Sequence, residues 1–173
     1  MRVNTINQYI DQYVREWIMV GVRVWFGCLW AVGAMWKMPP YFGLATHENL
    51  YYWMARAVEY PVFAPYTWIM SHIILPHFLL FAWPVYIIEI TLGVVFVLGF
   101  QVRWFALLAL FMTINIGLTV LNTPGEWSWS YYLMAMVSLV LFCYPYKESS
   151  LSIDSWIAFI RVRLSKADRL PNT

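Results

Sequence analysis

Residues 80–121 read LFAWPVYIIEITLGVVFVLGFQVRWFALLALFMTINIGLTVL, and Glu89 and Arg103 are the only charged side chains among them. An apolar run of this length is about twice the roughly 20 residues that one helix needs to cross a bilayer. Gly99-Phe-Gln-Val-Arg103 interrupts it as a tight turn, so it divides into two spans, 80–98 and 104–121. In hydrocarbon the backbone polar groups must be satisfied internally, which leaves helices or closed barrels as spanning structures. Apolar runs of this length favour helices.

Working outward, Asn122-Thr-Pro-Gly-Glu126 makes the next turn, and 129–144 forms a further span that Pro145 ends. Toward the N-terminus the chain stays apolar back to Tyr66, with Pro76 and Pro84 as interruptions. Residues 67–75 are expected to form a re-entrant or interfacial piece, with a fifth span as the alternative. An outer connection, 38–77, precedes the second span. Its Leu50, Trp53, Met54, Ala57 and Val58 have the spacing of one short helix. Structureless loops of forty or so residues are uncommon, so this connection is expected to pack on the bundle. The first span is 17–36, closed by Lys37 and Pro39-Pro40.

Both ends are amphipathic. Ile6, Tyr9, Ile10, Tyr13 and Trp17 recur at helical spacing, with Asp11, Arg15 and Glu16 on other faces. In the tail, 152–166, Ile153, Trp156, Ile157, Ile160 and Leu164 line one face from a cap at Asp154, and Arg161, Arg163, Lys166 and, beyond it, Arg169 supply positive charge. Each reads as a helix lying in the membrane interface. The opening residues are too polar for a cleaved signal peptide. The fold class expected is therefore all-α: a single domain over 1–173, an integral membrane four-helix bundle with amphipathic interfacial helices at both ends.

Composition agrees. Of 173 residues, 62% are apolar and 12% charged, against about 25% charged in soluble domains. A water-soluble domain this short has too little interior for that apolar content. The net charge of +2, with its basic residues scattered, leaves no nucleic-acid footprint. With four spans, the N-terminal arm, the Arg103 turn and the basic tail share one side, and Lys37 and Arg56 lie on the other. The positive-inside rule then places both termini in the cytoplasm. The membrane expected is the cytoplasmic (inner) membrane of a prokaryote. Cys28 and Cys143 lie in apolar runs without metal spacing, so no metal site is expected. Nucleophile elbow, P-loop and dinucleotide fingerprint are absent from the sequence. Redox chemistry would need an acquired cofactor, a partner subunit, or direct chemistry between bound substrates.

Glu89 lies near the middle of the second span, where a carboxylate costs at least about 2.5 kcal/mol and must be paired, neutral or hydrated. Arg23, about two turns into the first span, either pairs with it across the bundle or snorkels back to the headgroups. Such a pair has two readings: an anchor or proton relay for a quinone headgroup, or an internal staple between helices. Asn115 reads as interhelical hydrogen bonding. Gly27, Gly33 and Gly93 read as helix-contact positions. His72 and His77 flank Pro76 without sharing a helix face.

These residues form an ordered series. Arg23, Gly27, Trp30, Gly33 and Lys37 mark the first span. Glu89, Gly93, Gly99 and Arg103 mark the second span and its turn, and Asn115 the third. Trp127, Trp129, Tyr131 and Tyr132 open the fourth, and Ser152-Ile-Asp154 follows in the tail. The series resembles the DoxX/DoxD family over about residues 20–155, with a size and long first loop closer to DoxD. The resemblance implies a four-helix membrane bundle and, for DoxD-type members, the membrane subunit of a thiosulfate:quinone oxidoreductase. That enzyme joins two thiosulfates into tetrathionate and passes the electrons to quinone, with a DoxA-like subunit as partner. On this reading Glu89 and Arg23 are the catalytic candidates. Asn115, Lys37 and Arg103 are the candidate cofactor contacts, quinone is the electron acceptor, and the partners are the lipid bilayer and other membrane subunits. The alternative is a non-catalytic accessory subunit that stabilises a larger respiratory or photosynthetic complex, its many aromatic side chains filling gaps between neighbours.

Overall fold

The structure is a computed structural model that describes residues 2–144 and 152–167, with side chains placed from residue 10 onward except at 158, 162 and 164–167. The expected contributions of Ile6, Tyr9 and Leu164 to the amphipathic faces, and of Lys166 and Arg169 to the basic side, lie outside the described side chains. Among the described residues every regular element is helical. In chain order these are α1 (Arg2–Met35), α2 (Asn49–Glu59), α3 (Ala64–Ile69), a π-helical turn (Met70–Ile74), α4 (Phe78–Leu98), α5 (Val102–Val120), α6 (Ser128–Cys143) and α7 (Ile153–Ala167). Three helical stretches, Ile10–Met35, Phe78–Leu98 and Val102–Val120, are long and apolar enough to cross a membrane. α6 is apolar and shorter, at 16 residues. Leu80, Ile87, Val94, Ile114 and Met136 all stand exposed on helix exteriors, as suits lipid surroundings.

α1 runs unbroken through the segment expected as a separate surface helix. Nothing between Arg2 and Val20 interrupts the hydrogen-bond ladder, since the stretch has neither proline nor glycine. α1 and α4 pack antiparallel at a distance only small residues permit. A Cβ added to Gly27 would lie 2.8 Å from the Gly93 carbonyl oxygen and 2.9 Å from the Val97 nitrogen, while one added to Gly93 would meet Ala31 at 3.0 Å. Close approach of backbones is how membrane helices gain packing without a hydrophobic driving force. Gly33 departs from the expectation: a Cβ there would meet nothing within 4 Å.

α4 ends in a left-handed Gly99 (φ 72°), and the turn passes to α5 through Gln101 (φ 42°). α7 reinforces this corner. The Gln101 backbone N–H donates to the Asp154 carboxylate at 2.7 Å. The cap of α7 is therefore not Asp154. Ser152 fills that role, its Oγ accepting from the Ser155 N–H at 3.2 Å. Asp154 is drawn instead to a turn whose backbone donor has no helical partner.

α5 packs against α6, and α2 lies across α5. The long connection does pack on the helices. Asn122 Nδ2 donates to the Pro61 carbonyl at 2.7 Å, and Phe42, Leu50, Met54, Met70 and Phe78 share a buried cluster. A second cluster, including Phe26, Leu92, Phe96, Val102, Ala106 and Leu141, fills the bundle toward the Gly99 turn. Residues 64–75 fold as α3 and the π-turn, together well short of the about 20 residues that a fifth span requires.

Candidate functional site

Helix direction decides which cation meets Glu89. Antiparallel packing sets Arg23 against Gly99, Gly27 against Gly93 and Val97, and Ala31 against Gly93. Continuing outward along α1 brings Lys37 to Glu89, with Lys37 Nζ 2.6 Å from Glu89 Oε2. Lys37 also donates to the Gly33 carbonyl at 3.0 Å and sits 4.4 Å from the centre of the Trp36 ring. A cation just past a helix C-terminus is favoured by the unsatisfied carbonyls there. Lys37 and Glu89 are 5% and 2% exposed, so each charge depends on the other to offset its lost hydration.

Arg23 is also buried, at 2% exposed, but at the opposite end of α1. Its guanidinium lies where a Gly99 side chain would be, 1.8 Å from a Cβ built at that position. Twelve residues of α1 separate Arg23 from Met35, about 18 Å of rise, and Lys37 lies two residues further on. The acid's partner is thus Lys37, and Arg23 lies against the Gly99 turn. Arg103 lies at the same end as Arg23. It is exposed, packs 5.0 Å from the Phe142 ring centre, and borders a small hollow with Gln101 and Asp154.

Lys37 and Glu89 form part of the wall of a cavity of about 1010 Å³ between the α1–α4 pair and the α5–α6 pair, lined also by α2, α3 and the π-turn. This is at the upper end of the range for small-molecule pockets, roughly 300–1,000 Å³. Its lining is mainly apolar, with Trp30, Met54, Val85, Ile88, Met112 and Ile116 among the side chains. Where α1 and α6 approach, Trp25, Leu29, Trp129 and Leu133 line it and are exposed, so the cavity communicates sideways with the lipid-facing surface.

The facing wall carries its own polar groups. Asn115 and Thr119 of α5 meet Tyr66 of α3: the Tyr66 hydroxyl lies 3.1 Å from Asn115 Oδ1 and 2.9 Å from Thr119 Oγ1. Burial pushes the Tyr66 phenol above its ordinary range, with the Thr119 hydrogen bond pulling the other way, so it stays protonated at neutral pH. At the α5–α6 turn, Tyr131 donates to Glu126, and both line the cavity.

Of the five residues singled out from the sequence, Glu89, Lys37 and Asn115 share this cavity, while Arg23 and Arg103 lie by the Gly99 turn. Tyr66, Glu126 and Tyr131 were not among the candidate site residues. Tyr66 is 49 residues from its partner Asn115, and no local pattern links the two. Glu126 and Tyr131 straddle a helix start, where an acidic residue and an aromatic five positions on are an ordinary turn signal. Outside the cavity, the His72 ring stacks on Trp68 and lies 2.7 Å from Ser71 Oγ, and His47 packs edge-on to Tyr51. No cluster of three metal-ligating side chains occurs among the described residues.

No protein family, no curated protein and no solved structure matches this chain, so the chemistry of the site carries the functional argument.

Proposed function

We propose that this chain is a four-helix membrane protein, with α6 as the fourth crossing, and that its cavity receives the headgroup of a quinone as part of a quinone-linked oxidoreductase. The observation that carries the reading is the Lys37–Glu89 pair on the wall of a large apolar cavity that opens toward lipid. A hydrophobic tail would enter between α1 and α6. The headgroup would meet the only ammonium–carboxylate pair among the described lining residues. Basic residues at the Arg103 turn and in the tail support cytoplasmic termini in a prokaryotic inner membrane, which puts Lys37 and Glu126 toward the outer face.

Reduction of a quinone to a quinol takes two electrons and two protons. A buried carboxylate beside an ammonium suits proton exchange at a ring oxygen, and the ammonium stabilises the negative charge that builds there. The electrons come from a partner subunit. The DoxX/DoxD resemblance points to thiosulfate as their source and to a DoxA-like partner. The accessory-subunit reading draws its support from exposed aromatic groups such as the stacked Trp127–Trp129 pair, which suit lateral packing against other membrane subunits.

The test is purification of the native complex with mass spectrometry of its bound small molecules, followed by decylubiquinone binding in nanodiscs. The expected result is co-purified quinone, with binding lost in Gly33→Phe, a substitution that fills the cavity from a position free of clashes. Stoichiometric recovery in a large complex, with neither bound quinone nor decylubiquinone binding, would overturn the quinone reading and leave the accessory one.

A further inference from the structure

Apart from the Tyr131–Glu126 pair at the α5–α6 turn, the cavity carries two polar poles on facing walls, and a ligand with a single polar end needs one. We infer that it selects a ring with two opposed hydrogen-bond acceptors, a 1,4-quinone, whose far carbonyl is held by the Asn115 amide with Tyr66 as a positioning residue. The inference rests on the quinone reading and names the ring chemistry of that ligand.

The first pole is Lys37–Glu89, on the α1–α4 wall. The second is Asn115, on the facing α5 wall. Glu89 lies ten residues before the Gly99 turn and Asn115 thirteen after Val102, about 15 Å and about 20 Å along antiparallel helices. The two poles therefore lie at similar depth on opposite sides of one space.

The Asn115 amide is held at its oxygen. Tyr66 of α3 shares its single hydroxyl proton between Thr119 Oγ1 at 2.9 Å and Asn115 Oδ1 at 3.1 Å, while Thr119 Oγ1 donates to the Asn115 backbone carbonyl at 2.9 Å. Engagement of Oδ1 leaves the Asn115 NH2 as the donor of that side chain on the cavity wall, without a protein partner among the described residues. Fixing one end of a carboxamide from a second element orients its other end, as supporting hydrogen bonds do in binding sites generally. A fatty acid or a sterol, with one polar end, would leave one of these poles facing hydrocarbon, where an unmatched polar group is costly. A 1,4-quinone presents an acceptor to each pole: one oxygen to the Lys37 ammonium, the other to the Asn115 amide.

The experiment uses the full chain in nanodiscs with decylubiquinone carrying ¹³C at one ring carbonyl or the other. Infrared difference spectra read each C=O stretch separately. The expected result is that both stretches shift down on binding. Asn115→Leu should restore one of them to its unbonded frequency and weaken binding by about tenfold, the scale of one lost hydrogen bond. Tyr66→Phe, which frees the amide to rotate, should broaden the same band and weaken binding less. A wild-type spectrum with only one shifted carbonyl would overturn the inference while leaving quinone binding intact. Two carbonyls that stay shifted in Asn115→Leu, at unchanged affinity, would also overturn it. Failure of the wild-type chain to bind decylubiquinone would remove the underlying reading as well. The wild-type spectrum decides the matter independently of how either variant folds.

Discussion

Two buried cations, one within α1 and one just past its C-terminus, behave as opposites. Lys37 meets a carboxylate at 2.6 Å on the wall of a cavity, and Arg23 lies under a glycine turn at the densely packed end of the same helix. Arg23, the deeper residue in its span, was the one expected to neutralise Glu89. Helix antiparallelism chose the lysine. A charge at the open end can face a ligand, whereas a charge at the closed end is surrounded by protein and lies against the turn. Position along the helix, more than the type of side chain, separates a site from a staple.

The largest effect expected from breaking this comparison is at the ion pair. Lys37→Met or Glu89→Leu alone should each cost about 3–5 kcal/mol, because each leaves a buried charge without its partner. The double variant should recover most of that loss, as read by reversible unfolding in mixed micelles. Arg23→Met combined with Glu89→Leu should show no such recovery. Recovery there instead would transfer the pairing to Arg23.

A smaller loss is expected at the closed end. Gly99→Ala places a Cβ into the Arg23 guanidinium at a backbone angle that side chains rarely adopt, at a cost of about 2–3 kcal/mol in the same assay. A stability unchanged by that substitution would mean the arginine is not seated against the turn. The smallest change is a gain. Gly33→Ala adds a methyl group where nothing lies within 4 Å and should stabilise α1 by about 0.5–1 kcal/mol. A loss there would place an unseen contact at the cavity wall.

Much of the fold was legible because its signals are local. Long apolar runs, the Gly99 and Asn122–Glu126 turns and the short helix in the outer connection depend on neighbouring residues only, and the helices lie where those patterns put them. The break expected between the N-terminal segment and the first span was misread, since amphipathic spacing does not itself stop a helix. Asp154 was misread for a related reason. As a good capping residue next to a helix start it looked local, but its carboxylate was taken by Gln101, 53 positions away.

The candidate site was only half legible. Glu89 is conspicuous in any apolar segment, because hydrocarbon tolerates few charges. Its partner could not be read, since pairing depends on the register of α1 against α4, which Gly27 and Gly93 set by close approach. Tyr66 could not be read at all: it enters the cavity from α3, a short helix of the long connection, and meets α5 across 49 residues of sequence.

By itself the sequence determined that the chain is helical, that its long helices are greasy enough for lipid, and that one acid would have to be satisfied inside. Those properties follow from the hydration cost of each residue in turn, a cost that adds along the chain. Only the tertiary structure decided that Lys37 answers Glu89, that Arg23 lies against the Gly99 turn, and that a cavity remains between two tightly packed helix pairs. Ion pairing and hydrogen bonding act over about 3 Å, so they depend on which helix faces meet, and one-dimensional spacing does not carry that information.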